Sequence, residues 1–332
     1  MISLKTFLYK AKAKIHRGFI IESKGKPFYN LLYISYWHGK LAGKKKRNEV
    51  IQYMTARPNP GAGIGHQLAN WLSGYKMAQY YSLTYSTYPF SDLSNPLSPN
   101  EWDSFLGLNI GEIHTKDLIR RGYKKVLLPK INFDKEKERN LLSDIIRSYK
   151  GQHVVFHLEM DQFAGSELKS LEFMREKYWN APARQADMLK YNPEHFNVAV
   201  HVRRGDIVQN DGEKNDNLTM RWLDISYYHN MLKKYLSQYS KGRVVELYIF
   251  SQTGKSELTG FDSFGIVHYC NDMDAMASFL HMVNADMLIM SKSGMSYQAA
   301  KLNKRGIIIY PDGFWREPLE SKQWIHTGNP GT

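Results

Sequence analysis

Phe196-Asn197-Val198-Ala199-Val200-His201-Val202-Arg203-Arg204-Gly205-Asp206 decides how this chain is read. The first seven residues form a short, mostly apolar run, the pattern of a parallel strand covered on both faces. Two arginines follow without a break. Guanidinium groups beside a buried strand are costly unless something anionic is near, and their planar forks match phosphate oxygens in pairs. One reading pairs them with an internal carboxylate, Asp206 being the nearest in sequence. The other gives them a phosphorylated ligand.

Outward from this strand the chain alternates. Downstream, helical text over Ser226–Tyr239 leads to strands Val245–Phe250 and Ile266–Tyr269. Asp274–Asn284 is helical, Met287–Met290 a strand, Ser296–Lys304 a helix capped by Gly306, and Ile307–Tyr310 a last strand. Upstream, Val50–Met54 reads as a strand, Arg57–Gly65 as a loop, Gln67–Tyr81 as a helix and Leu83–Tyr88 as a strand. Phe90–Asn100 reads as loop, Lys125–Leu128 and His153–His157 as strands around a helical Glu136–Tyr149, and Ser166–Leu189 as helical. Strands alternating with helices of this length specify βαβ units and parallel sheets. The expected fold is α/β, with two Rossmann-like domains facing across a cleft. The boundaries place a basic extension at 1–47, an N-terminal Rossmann-like domain at 48–195 and a C-terminal Rossmann-like domain at 196–332. Ligands of such sheets gather at the carboxyl ends of strands.

Length and composition agree with two domains. The 332 residues are 42% hydrophobic and 23% charged, enough apolar material for packed cores. One cysteine, Cys270, excludes an intrachain disulfide framework and any zinc site built from several thiolates. No stretch reaches the ~18–20 apolar residues of a spanning helix, and Met1–Ile21 lacks the apolar core of a secretion signal. A cytoplasmic protein, peripheral to a membrane at most, is expected. The net charge is +13, and twelve basic residues against Glu22 and Glu49 put +10 of it in the first 50 residues. Such a run suits a solvated face, an anionic membrane surface or nucleic acid, in that order. Nucleic acid is the least suited partner, since the remaining 282 residues carry only +3 and show no recognised nucleic-acid module.

Two further segments flank strands. Gly61-Ala62-Gly63-Ile64-Gly65-His66-Gln67 joins the first strand to its helix, where glycines admit an anionic group and the helix start supplies N–H donors. It misses the dinucleotide fingerprint, which needs glycine at His66; a tight turn explains it equally well. Ser291-Lys292-Ser293-Gly294 precedes another helix, and capping by Ser293 is the simpler reading there. Thr253-Gly254-Lys255-Ser256 lacks the P-loop's first glycine, having Ile249. Asp272-Met273-Asp274 precedes a helix, where capping is expected over metal binding. His153 and His157 read as packed histidines.

Together these motifs resemble the GDP-fucose-dependent fucosyltransferases, the superfamily of α1,2-, α1,6- and protein O-fucosyltransferases. His201-Val202-Arg203-Arg204-Gly205-Asp206 matches the family's H-x-R-R-x-D at every fixed position. Gly63-Ile64-Gly65-His66-Gln67 is similar to its G-x-G-N-Q loop, with His66 in place of Asn. Lys292–Leu302 resembles the late motif of the α1,2 branch, agreeing at Ser293, Ser296, Ala300 and Leu302 and departing at Lys292, Gly294, Met295, Tyr297 and Gln298. The resemblance implies the GT-B architecture, inversion at the anomeric carbon, no required metal, GDP-fucose as donor and a glycan hydroxyl as acceptor, lipid-linked glycans included. It makes Arg203 and Arg204 the groups for the diphosphate or sugar. His201, Asp206, the backbone of Gly63 and Gly65, and the hydroxyls of Ser293 and Ser296 join them on the donor. His66 is the candidate general base. A GT-B enzyme using another nucleotide sugar is the nearest alternative.

Overall fold

The computed structural model describes residues 18–42, 50–59, 62–90, 99–159, 162, 168–204, 220–314, 319 and 321–328. Gly61, Gly205, Asp206 and the basic stretches Lys5–Arg17 and Lys44–Arg47 lie outside them. The chain forms two compact units, one from Met1–Pro58, Asn70–Tyr88 and Gly111–Gly165, the other from Asn59–Ala69, Pro89–Ile110 and Ser166–Thr332.

The first unit holds a five-stranded sheet of β1 (Tyr53–Ala56), β2 (Thr84–Thr87), β3 (Ile113–His114), β4 (Lys124–Leu127) and β5 (Val154–Leu158). Its order is β3-β2-β1-β5-β4, parallel throughout. β5 is buried at every residue, as a central parallel strand must be. One face is polar: Thr115 donates to Thr55 at 3.1 Å and shares a hydrogen bond with Ser86 at 2.9 Å. His157, paired with Thr55 across β1 and β5, is fully buried, and among the described residues neither ring nitrogen has a hydrogen-bond partner. Burial first, then Lys125 and Arg57, push its pKa down to about 3, so the ring is neutral.

Part of the segment read as a basic extension packs on this unit. Ile20, Tyr29 and Tyr33 form a buried cluster with Leu127 against it, and the backbone N–H of Lys130 donates to the Tyr29 hydroxyl at 3.1 Å. The helix Ile34–Leu41 follows.

The second unit holds a six-stranded parallel sheet of β6 (Phe196–His201), β7 (Val245–Phe250), β8 (Ile266–Tyr269), β9 (Met287–Ile289), β10 (Ile307–Tyr310) and β11 (Trp324–His326). The order β11-β10-β9-β6-β7-β8 is that of a doubly wound Rossmann sheet. The chain steps outward from β6 to β8, returns beside β6 as β9, and steps the other way. Val198, Val200, Leu247, Ile249, Met287 and Ile289 meet Tyr228 and Leu232 of the helix Ile225–Ser240 in one core. Each such side chain fully withdrawn from water contributes about 1.5–3 kcal/mol. The α/β class with two parallel Rossmann-like sheets is therefore as the sequence implied.

Several details differ. The first strand starts at Tyr53, not Val50, and Ile51 is mostly exposed. β3, β11 and the helices Pro99–Leu106 and Thr115–Arg120 are additional elements, all too short for a periodic signal. The helix expected to end at Gly306 is Gly294–Leu302 with Asn303 as C-cap. Gly306 is needed for a different reason: a Cβ there would stand 2.2 Å from the carbonyl oxygen of Ala285.

Candidate functional site

The order of the second sheet reverses between β6 and β9, and an open α/β sheet offers its ligand crevice at that point. The last paired residues are Val200 and Ile289. Three residues further on, level with one another, come Arg203 and Lys292. The Arg203 guanidinium donates to Ser293 Oγ at 3.3 Å, tying the end of β6 to the loop after β9.

That loop turns at once into the helix Gly294–Leu302. Ser293 is its N-cap, accepting from the Met295 N–H at 3.3 Å. Ser296 is fully buried, and its hydroxyl reaches the Ser291 and Ser293 carbonyls at 3.3 and 3.4 Å. Ser293 and Ser296, both expected at the donor, brace the loop through these bonds. They are 1% and 0% exposed. What this loop offers outward is the positive end of a helix dipole and the Lys292 ammonium. Lys292 Nζ lies 3.3 Å from the position of a Cβ on Gly313, just beyond β10.

The glycine loop arrives at the same place. The helix Ile64–Tyr80 begins against the start of Gly294–Leu302: a Cβ on Gly65 would be 2.2 Å from the Gly294 carbonyl carbon and 2.6 Å from the Met295 nitrogen. Gln298, 1% exposed, donates to the Gly65 carbonyl at 3.4 Å, and Gln67 donates to that of Ala62 at 2.6 Å. Gly65 is therefore demanded by the meeting of two helix starts. Gly63 has nothing within 4 Å of its Cβ position among the described residues. His66, in the first turn, is partly buried, and its backbone N–H donates to the Gly63 carbonyl at 3.0 Å.

The neighbouring arginines occupy different environments. Arg203 is partly exposed. Arg204 is 2% exposed, donates to the carbonyls of Arg203 and Leu223 at 2.9 and 3.1 Å, and lies 3.7 Å from the Trp222 ring centre. Among the described residues no carboxylate pairs with Arg204 or Lys292. His201 ends β6, 9% exposed, and its Nδ1 has no hydrogen-bond partner among the described residues. Burial first and the Arg203 charge second push its pKa down to about 3, so it adds no charge. Arg203, Lys292, the neutral His201 and the Gly294 helix start thus lie at the carboxyl ends of β6 and β9, while Arg204 is turned inward against Leu223 and Trp222. Sequence reading passed over Lys292 as a site residue, although its position directly after a buried strand was the available signal.

Elsewhere, Asp274 caps its helix by accepting from Ala277 N–H at 2.8 Å, as expected. Among the described residues no three metal-binding side chains come together.

No family model matches the chain, and no curated protein does. Solved structures resemble it weakly. POFUT1 in complex with GDP aligns with 79% of this chain and 98% of its own at 12% identity, TM-score 0.46. The NodZ alpha-1,6-fucosyltransferase soaked with GDP-fucose aligns with 77% of this chain and 93% of its own at 15% identity, TM-score 0.46. Fucosyltransferase NodZ from Bradyrhizobium gives 76% and 93% at 13% identity, TM-score 0.45. At this distance the chain's own residues carry the functional reading.

Proposed function

We propose that the chain is a metal-independent, inverting glycosyltransferase that takes its sugar from a nucleoside diphosphate, fucose from GDP-fucose, and passes it to a glycan hydroxyl. The observation behind this is the bridge from Arg203 to Ser293 across the β6–β9 switch, with Lys292 and a helix start on the same side. Positive charge beside a helix start is the chemistry that a diphosphate requires. The sugar and base are those of the motif resemblance, α1,2-fucosyl transfer included.

In the proposed reaction the sugar–phosphate bond breaks with its electron pair going to the diphosphate, while the acceptor oxygen attacks the opposite face of the ring. Charge grows on the leaving group, so fixed cations aimed there lower the barrier. Arg203 holds the diphosphate, Lys292 and the Gly294 helix start support it, and Arg204 fixes the loop that carries Arg203. His66, next to the Gly65–Gly294 contact, takes the proton from the acceptor.

Thermal denaturation with GDP, UDP, ADP and CDP tests this, because a ligand binding only the native state raises its stability, by about 2.7 kcal/mol at a hundredfold excess over Kd. GDP should give the largest shift and Arg203→Ala should abolish it. A larger shift with UDP assigns another nucleotide sugar; no shift with any of the four rejects the reading.

A further inference from the structure

The helix Ile34–Leu41 is mounted with its apolar side outward. Inward it presents small and polar groups. Ser35 Oγ donates to the Leu127 carbonyl at 2.6 Å, and His38 Nδ1 lies 2.8 Å from Ser148 Oγ with its ring stacked 3.8 Å from that of Tyr149. A Cβ on Gly39 would be 3.2 Å from Ile145, so only a residue this small lets the two helices approach. These three positions, Ser35, His38 and Gly39, fix which way the helix faces.

Outward it presents Ile34, 85% exposed, Leu41, 78%, and Trp37, 46%. At i, i+3 and i+7 these form one stripe. The indole N–H of Trp37 donates to the Leu31 carbonyl at 2.8 Å, so the rest of the ring offers carbon surface alone. Phe19, Ile21, Phe28 and Leu31, just upstream, are exposed as well. A helix facing water carries the opposite pattern, and a contiguous apolar patch marks a binding surface.

The charges name the partner. Lys24, Lys26 and Lys40 are exposed among these residues and form no ion pair among the described residues; Lys26 lies 6.0 Å from the Phe28 ring and Lys40 5.7 Å from the Tyr36 ring. The first 50 residues carry +10. Aliphatic side chains and a tryptophan with exposed lysines on the same and adjoining turns match the hydrocarbon boundary and phosphates of an anionic bilayer. We propose that this surface docks the protein on an anionic lipid bilayer, with Ile34, Trp37 and Leu41 entering the headgroup layer and Lys24, Lys26 and Lys40 meeting lipid phosphates. This is independent of the transferase reading.

The test is co-sedimentation of the full chain with phosphatidylcholine vesicles, alone or with about one third phosphatidylglycerol, at low and high salt. The full chain should pellet with the anionic vesicles only, and less at high salt. Ile34→Ser with Leu41→Ser should lower partitioning roughly tenfold or more, and Lys24→Gln with Lys26→Gln and Lys40→Gln should flatten the salt dependence. Both sets lie at exposed positions, so circular dichroism and the thermal midpoint should not move. Failure of the full chain to pellet with anionic vesicles at low salt overturns the proposal, as does undiminished binding by the Ile34/Leu41 variant. A dimer in sedimentation velocity that this variant dissociates, without vesicle binding, assigns the face to a second copy and also overturns it. The GDP shift is read separately, so either proposal can fail alone.

Discussion

A Cβ on Gly65 would stand 2.2 Å from the carbonyl carbon of Gly294, closer than any side chain can come. Two helix starts therefore touch backbone to backbone, and the obstruction cannot swing away as a flexible side chain would. Gly65→Ala should cost about 1–3 kcal/mol or more in urea denaturation. Gly63→Ala, in the same loop but in open space, should change stability by less than about 1 kcal/mol. Equal losses from both would mean the loop needs glycine for its backbone conformation instead.

Arg203 and Arg204 should fail in different assays. Arg203→Ala should leave the denaturation midpoint in place and cut transfer by about 3–4 kcal/mol of transition-state stabilisation, two to three orders of magnitude. Arg204→Ala strips two carbonyls of a charged donor and uncovers Trp222, so it should lower stability by roughly 2 kcal/mol. Arg204→Lys should not restore it, because an ammonium cannot span both carbonyls as a planar fork does. A stable, inactive Arg204→Ala would move that residue onto the ligand.

Turnover should survive EDTA. Arg203, Lys292 and the Gly294 helix start already supply positive charge where the diphosphate would leave. Loss of activity in EDTA with recovery in manganese would show that these groups are insufficient.

Acid stability should expose the buried titratable groups. His157 and His201 have native pKa values of about 3, against roughly 6.5 in the unfolded chain. Above pH 6.5 both states are neutral and nothing changes. Below it the unfolded chain takes up protons the native state refuses, so each histidine removes about 1.4 kcal/mol per pH unit until about pH 3. Asp103, 1% exposed and pushed up to about 7 by burial, works the other way. It binds its proton in the native state first, so stability rises as pH falls from 7 towards the ordinary carboxylate range. His157→Gln should therefore flatten the loss of urea midpoint between pH 6.5 and 4, and Asp103→Asn should steepen it.

What was legible in the sequence was whatever repeats or is buried on both sides. Val245–Phe250 and Ile307–Tyr310 are strands over the expected residues because each is a short, mostly apolar and mostly buried run, and the half-exposed edge strand Ile266–Tyr269 also falls where expected. The position of Arg203 beyond a buried strand was legible for the same reason. The hydroxyls of Ser293 and Ser296 were read as ligands because a serine's sequence does not reveal which way its Oγ turns; here both turn into the loop. That Gly65 answers to Gly294, more than two hundred residues away, is a fact of tertiary packing that no local pattern encodes. β3 has two residues, a single period of strand alternation and too few to repeat.

The helix Ile34–Leu41 separates two kinds of constraint along eight residues. Ser35, His38 and Gly39 answer to the fold, since each fills a fixed space beneath the helix. Ile34 and Leu41 are mostly exposed, and Trp37, held to the Leu31 carbonyl by its indole N–H, leaves nearly half of its surface in water. Their identities are set from outside, so in a lineage that moved into a different environment these three positions would drift first, while the folding of the domain beneath them stayed as it is.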